Sequence, residues 1–104
     1  MERFAEPAVL LLLRERSAHG YELLEQVPDL TGERVDMGNL YRFLRLLEAE
    51  GIVRSEWDDE QPGPSKRVYE LTGEGRALLA EWAGALRDAQ GRIDSFLTSY
   101  EERR

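Results

Sequence analysis

Arg42 and Arg45 stand three residues apart, and a second basic pair, Lys66 and Arg67, follows later in the chain. Guanidinium groups at that spacing share one side of a helix, and their planar forks can hydrogen-bond a phosphate or the edge of a base. Anion recognition is therefore the chemistry these residues offer. The rest of the sequence offers little else. There is no cysteine, and His19 is the only histidine, so it has no partner His or Cys with which to make a metal-ligand set. No glycine-rich phosphate loop with its lysine and no Gly-x-Ser-x-Gly is present. We expect no enzyme, no cofactor and no metal.

The arginines must be carried by residues 36–51. Asp36 is a good N-cap and Gly51 suits the left-handed position after a helix C-terminus. Between them Leu40, Phe43, Leu44 and Leu47 recur at helical spacing and form a core face. Gly38, Arg42, Arg45 and Ala49 fall on the opposite face, with Tyr41 at its edge. Upstream, Pro7 suits a first helical turn, and the apolar run 8–13 suggests a helix buried on more than one side. Ser17 is expected to cap a second helix over residues 18–27, which Pro28 stops. Downstream, residues 52–58 alternate like a strand, 59–64 form a turn, and 66–71 return. Helix, helix, helix, strand, wing, strand is the order of a winged helix-turn-helix. The expected class is mainly α, three helices plus a two-stranded wing, followed by a long C-terminal helix.

That last helix begins at Thr72, a cap, with Glu74 complementing its dipole and Gly75 allowing its first turn to pack closely. Its apolar stripe runs through Leu78, Trp82, Leu86, Ala89, Ile93, Phe96 or Leu97, and Tyr100. A rod of roughly 40 Å outruns the small domain before it and calls for a partner helix. We therefore expect a homodimer, with residues 1–71 as one domain and 72–104 as the dimerisation helix. The expected interface is Leu10, Leu86, Ile93, Phe96, Leu97 and Tyr100.

The net charge of −7 opposes non-specific binding to phosphate, yet its distribution matters more. Residues 34–47 carry Arg34, Arg42 and Arg45 against the single acid Asp36, and 61–69 carry Lys66 and Arg67 with no acid. The acidic run Asp58, Asp59, Glu60 is expected at a strand end, facing solvent. The apolar run 8–13 is far short of the roughly 20 residues that span a bilayer, so the chain is read as cytoplasmic, without a membrane partner.

Three spaced motifs carry a family resemblance: Gly20-Tyr21-Glu22-Leu23, then residues 38–51, then Val68-Tyr69-Glu70-Leu71-Thr72-Gly73-Glu74-Gly75. The chain resembles the PadR family of bacterial transcriptional regulators, in the subgroup with one C-terminal helix, over nearly its whole length. The resemblance implies a dimer on a palindromic operator in double-stranded DNA, usually as a repressor and often relieved by a small molecule. Carried onto this sequence, it places Gly38, Asn39, Tyr41, Arg42, Arg45, Lys66 and Arg67 at the DNA. It also points to an apolar or aromatic effector beside Trp82 and Leu86. The family often opens this helix with Ser-Pro-Gly-Thr, where this chain has Asp36-Met37-Gly38-Asn39. The acidic total favours one alternative, a winged-helix protein-protein interaction module without DNA binding.

Overall fold

The structure, a computed structural model, describes residues 5–32, 34–58 and 66–102. Helix α1 spans Ala5–Glu15, strand β1 Ala18–His19, helix α2 Gly20–Thr31, helix α3 Met37–Ala49, strand β2 Val53–Asp58, strand β3 Lys66–Leu71 and helix α4 Gly73–Glu102. This is a winged helix-turn-helix with a long helix appended. The turn expected over 59–64, including Asp59 and Glu60, lies outside the described residues. No described helix is long and apolar enough to cross a membrane.

Helix α1 supplies the centre of the core. Val9 and Leu10 are fully buried, with Ala8 and Leu13 nearly so, while Leu11 and Leu12 are half-buried on its flanks. Burial on several sides is thus achieved inside one subunit. Leu10 is corrected accordingly: with no exposed surface in its own subunit it cannot meet a partner, and Leu11 takes the outward position on that helix.

Helix α2 departs from expectation at both ends. Ala18 and His19 pair with Tyr69 and Val68 to form a third, antiparallel strand, so the sheet order is β1-β3-β2 and Ser17 is not the cap. His19 is the N-cap; its backbone N–H donates to the Glu22 carboxylate at 2.9 Å, which holds that carboxyl below its usual range. The His19 ring lies between Glu22, 2.8 Å from Nδ1, and Asp58, 3.3 Å from Nε2, joining the start of α2 to the end of β2. Pro28 does not stop the helix. It lacks one N–H, but its own carbonyl accepts from Gly32, and the Thr31 hydroxyl donates to Val27, so the last turn closes around it.

Helix α3 follows its sequence signals closely. The Asp36 carboxylate accepts from the Asn39 N–H at 3.1 Å, and Gly51 adopts φ 79° just beyond the last turn. Leu40, Leu44 and Leu47 are buried and Phe43 half-buried. Strands β2 and β3 pair in antiparallel register from Val53 opposite Leu71 out to Asp58 opposite Lys66.

The start of α4 is locked to the strands. The Thr72 hydroxyl lies 2.6 Å from the Gly51 carbonyl and 2.9 Å from that of Ile52, and accepts the Gly75 N–H at 3.0 Å. A Cβ on Gly75 would stand 2.3 Å from the Ile52 carbonyl oxygen and 2.4 Å from Leu71. Along α4 Leu79 is the buried large side chain, whereas Leu78, Trp82 and Leu86 are half-buried; residues 91–102 are exposed throughout. The molecule measures 61 × 26 × 21 Å, with a radius of gyration of 16.8 Å. A compact chain of this length has about 13 Å. The difference is the projecting end of α4.

Gly75→Ala is expected to destabilise by about 2 kcal/mol and lower the melting temperature by roughly 10 °C, because the atom met is backbone and cannot rotate away. Gly73→Ala, where an added Cβ meets nothing within 4 Å, is the control and should change stability little. Thermal unfolding followed by circular dichroism checks both; equal melting temperatures would contradict the packing described.

Candidate nucleic-acid interface

The outward face of α3 holds the residues expected there. Gly38, Asn39, Arg42 and Arg45 are exposed, and Leu46, 55% exposed, adds an apolar side chain beside them. Tyr41 sits at the edge, half-buried, because its ring lies over Gly20. A Cβ there would come within 2.7 to 2.8 Å of the ring and its hydroxyl oxygen. The buried glycine of α2 thus sets the height of a side chain on α3.

The sheet contributes a second wall. Alternation places Val53, Ser55 and Trp57 of β2 on one face with Leu71, Tyr69 and Arg67 of β3, each opposite its partner in register. Val53 and Leu71 enter the core, Ser55 and Tyr69 lie against α3, and Trp57 with Arg67 extends beyond it. The Ser55 hydroxyl donates to the Glu48 carboxylate, 2.9 Å from each oxygen, and Arg67 Nη1 donates to the Ser55 oxygen at 2.6 Å. The Arg67 guanidinium rests over Trp57, 4.7 Å from the ring centroid. Tyr41, Arg45, Glu48, Arg67 and Tyr69 line the cleft between helix and wing. Burial, reinforced by Glu48, pushes the Tyr69 phenol up, so it stays protonated and uncharged.

Arg67 is therefore brought together with Tyr41 and Arg45, whereas Lys66, its neighbour on an alternating strand, belongs to the opposite sheet face. That face carries the Arg54–Glu70 ion pair. The basic pair of the sequence is split by the pleat. Glu48, Ser55, Trp57 and Tyr69 did not emerge from the sequence as site residues. Their signal is the cross-strand register, which the sequence does not state because it depends on how the hairpin closes.

The expected interface and effector residues divide between two places. Ile93, Phe96, Leu97 and Tyr100 are 57, 68, 46 and 64% exposed on the projecting end of α4. Trp82 and Leu86 are half-buried and, with Leu11, Leu30, Leu79 and Ala83, line an apolar groove between α1, the end of α2 and α4. Among the described residues no group of three His, Cys, Asp or Glu side chains could hold a metal ion.

The profile of the Transcriptional regulator PadR-like family matches residues 9–81, from α1 into the first turns of α4. Transcriptional regulator Rv3488 of Mycobacterium tuberculosis is 37% identical over 92 residues, covering 85% of this chain and 84% of that protein. Bacillus subtilis PadR, solved in complex with operator DNA, superposes with a TM-score of 0.68 at 25% identity, over 75% of this chain but only 45% of its own. A PadR family transcription regulator of Clostridium difficile shares the fold over 90% of this chain and 98% of that one, with a TM-score of 0.81 at 23% identity. With the family match running from within α1 through α2, α3 and the sheet to the root of α4, this chain belongs to the PadR-like family of transcriptional regulators.

Proposed function

We propose that the chain acts in the cytoplasm as a homodimeric repressor of a palindromic operator, reading DNA with residues 1–71 and pairing through 72–104. The observation that carries this reading is the exposed arginine face of α3 standing beside Arg67 of the wing. Helix α3 would lie in the major groove, Arg42 and Arg45 reaching base edges or phosphates and Asn39 and Gly38 close to the strand at its N-terminus. The likeness to Bacillus subtilis PadR, solved in complex with operator DNA, supports a DNA-binding role. The net charge of −7 then weakens random contacts and leaves affinity dependent on docking.

Dimerisation is supported by the exposed apolar end of α4. Residues 91–102 make about 18 Å of helix with no cover from their own domain. A second copy would bury Ile93, Phe96, Leu97 and Tyr100 and set two recognition helices about 34 Å apart, one turn of DNA. The groove beside Trp82 and Leu86 is suited to an apolar or aromatic effector, which would act by changing that spacing.

Arg42→Ala or Arg45→Ala should weaken binding to a selected duplex by about 1 to 3 kcal/mol each, with helix content unchanged. Replacing Lys66 and Arg67 together should instead weaken all sequences alike and make the salt slope shallower by roughly one to two units. Wild-type affinity in the α3 variants would reject the helix assignment. Failure of the native protein to bind duplex at low salt would favour the interaction module.

Phe96→Asp should convert a dimer into monomers in sedimentation velocity; a wild-type monomer at micromolar concentration contradicts the dimer.

For the effector, planar aromatic cations and fatty-acid-like compounds should quench tryptophan emission in the native protein but not in Trp82→Phe. Because coupling is reciprocal, a compound that lowers DNA affinity tenfold must bind the DNA complex tenfold more weakly, about 1.4 kcal/mol. Quenching without any loss of DNA affinity would leave Trp82 a packing residue.

A further inference from the structure

Trp57 is the large side chain of the wing that the fold does not use. It is 59% exposed at the outer end of β2, beyond the last core pair, and an indole left in water forgoes the burial that usually accounts for its presence. Its neighbour in register, Arg67, is held on two sides: the indole lies under the guanidinium plane, and Ser55 takes one of its N–H groups. Ser55 is itself held by Glu48 of α3. A continuous chain, Glu48 to Ser55 to Arg67 to Trp57, therefore runs from the recognition helix to the exposed part of the wing.

We infer that Trp57 and Arg67 form a docking point for the phosphodiester strand that separates the two DNA grooves, with Glu48 and Ser55 as positioning residues. The inference rests on the DNA-binding reading above. If α3 occupies the major groove and the wing approaches the next groove, the strand dividing them must cross the corner between helix and sheet. That corner presents Arg45 and Arg67, two cations, and the flat apolar face of an indole. A guanidinium has five N–H donors in one plane; the bond to Ser55 sets that plane and leaves others for a phosphate oxygen. The indole matches the deoxyribose between two phosphates, which has an apolar face and no charge.

The acid in the corner fits this arrangement. A bare Glu48 carboxylate would repel phosphate, but here its oxygens accept from the Ser55 hydroxyl, whose own oxygen accepts from Arg67, so the donors run from Arg67 to Glu48 and the cation stands at the outer end of the chain. Ordering Arg67 before binding removes part of the side-chain entropy that a free arginine loses when it grips a phosphate. The contact is to backbone and sugar, so it holds the wing at a fixed distance from α3 without reading sequence.

The test uses the full chain, a duplex recovered from a random pool by selection on it, and a scrambled duplex of equal length. Trp57→Ala should lower affinity for both duplexes by about tenfold, the weight of one aromatic contact, and Trp57→Phe by less. Ser55→Ala, which releases Arg67 without changing charge, should cost about threefold on both, melting temperature being followed in parallel. A separate arm keeps Trp57 native: the protein is labelled with 5-fluorotryptophan, and the Trp57 resonance is assigned by its loss in Trp57→Phe. On saturation with duplex that resonance should shift and lose its solvent-isotope effect. If native protein binds duplex while the resonance keeps its solvent-isotope effect, or Trp57→Ala binds within twofold of wild type, the docking point is overturned and the DNA-binding reading stands. Absence of duplex binding by the native protein overturns both.

Discussion

The direction in which α4 leaves the small domain is set where its first turn touches the carbonyl oxygen of Ile52. No side chain fits between them, since a Cβ on Gly75 would approach that oxygen to 2.3 Å. Thr72 closes the same corner, its hydroxyl beside the carbonyls after α3 and its oxygen accepting from α4. The end of α3, the end of β3 and the start of α4 therefore meet within a few residues. Any assembly built through α4 inherits its geometry from this corner, and so does the placement of the arginine face that α3 presents.

Charge is arranged with similar economy. The chain carries a net charge of −7, yet several acids near α3 and the sheet are engaged: Asp36 caps α3, Glu48 accepts from Ser55, Asp58 and Glu22 bracket His19, and Glu70 pairs with Arg54. Glu48 shares its cleft with Arg45 and Arg67, so its charge is set against two cations there. Net charge thus describes the molecule poorly at short range, where the orientation of a few carboxylates decides what an approaching phosphate meets.

Several elements are legible in the sequence because their signals are local. Asp36 and Gly51 mark α3, and the spacing of Leu40, Leu44 and Leu47 assigns its buried side. Thr72 and Gly75 mark the start of α4 equally well. Other features escaped because they have no local signature. Strand β1 is two residues long and exists only because β3 offers an open edge to Ala18 and His19. Pro28 looked like a stop, but the cost of one missing N–H is met by the closure at Gly32. Leu10 stands on an all-apolar helix, and only the packing of the core shows that its own subunit encloses it.

By itself the sequence determined the order of elements, the two faces of α3 and the exposed apolar stripe of α4, since caps and periodicity act over one or two turns of chain. Only the tertiary structure decided which basic residues share a surface. Lys66 and Arg67 are adjacent in sequence, but a strand alternates its side chains, and the register of β2 with β3 brought Arg67 to Ser55, Trp57 and the Glu48 side of α3 while assigning Lys66 to the other face. Register is a property of two segments meeting across a turn. No single stretch of sequence contains it.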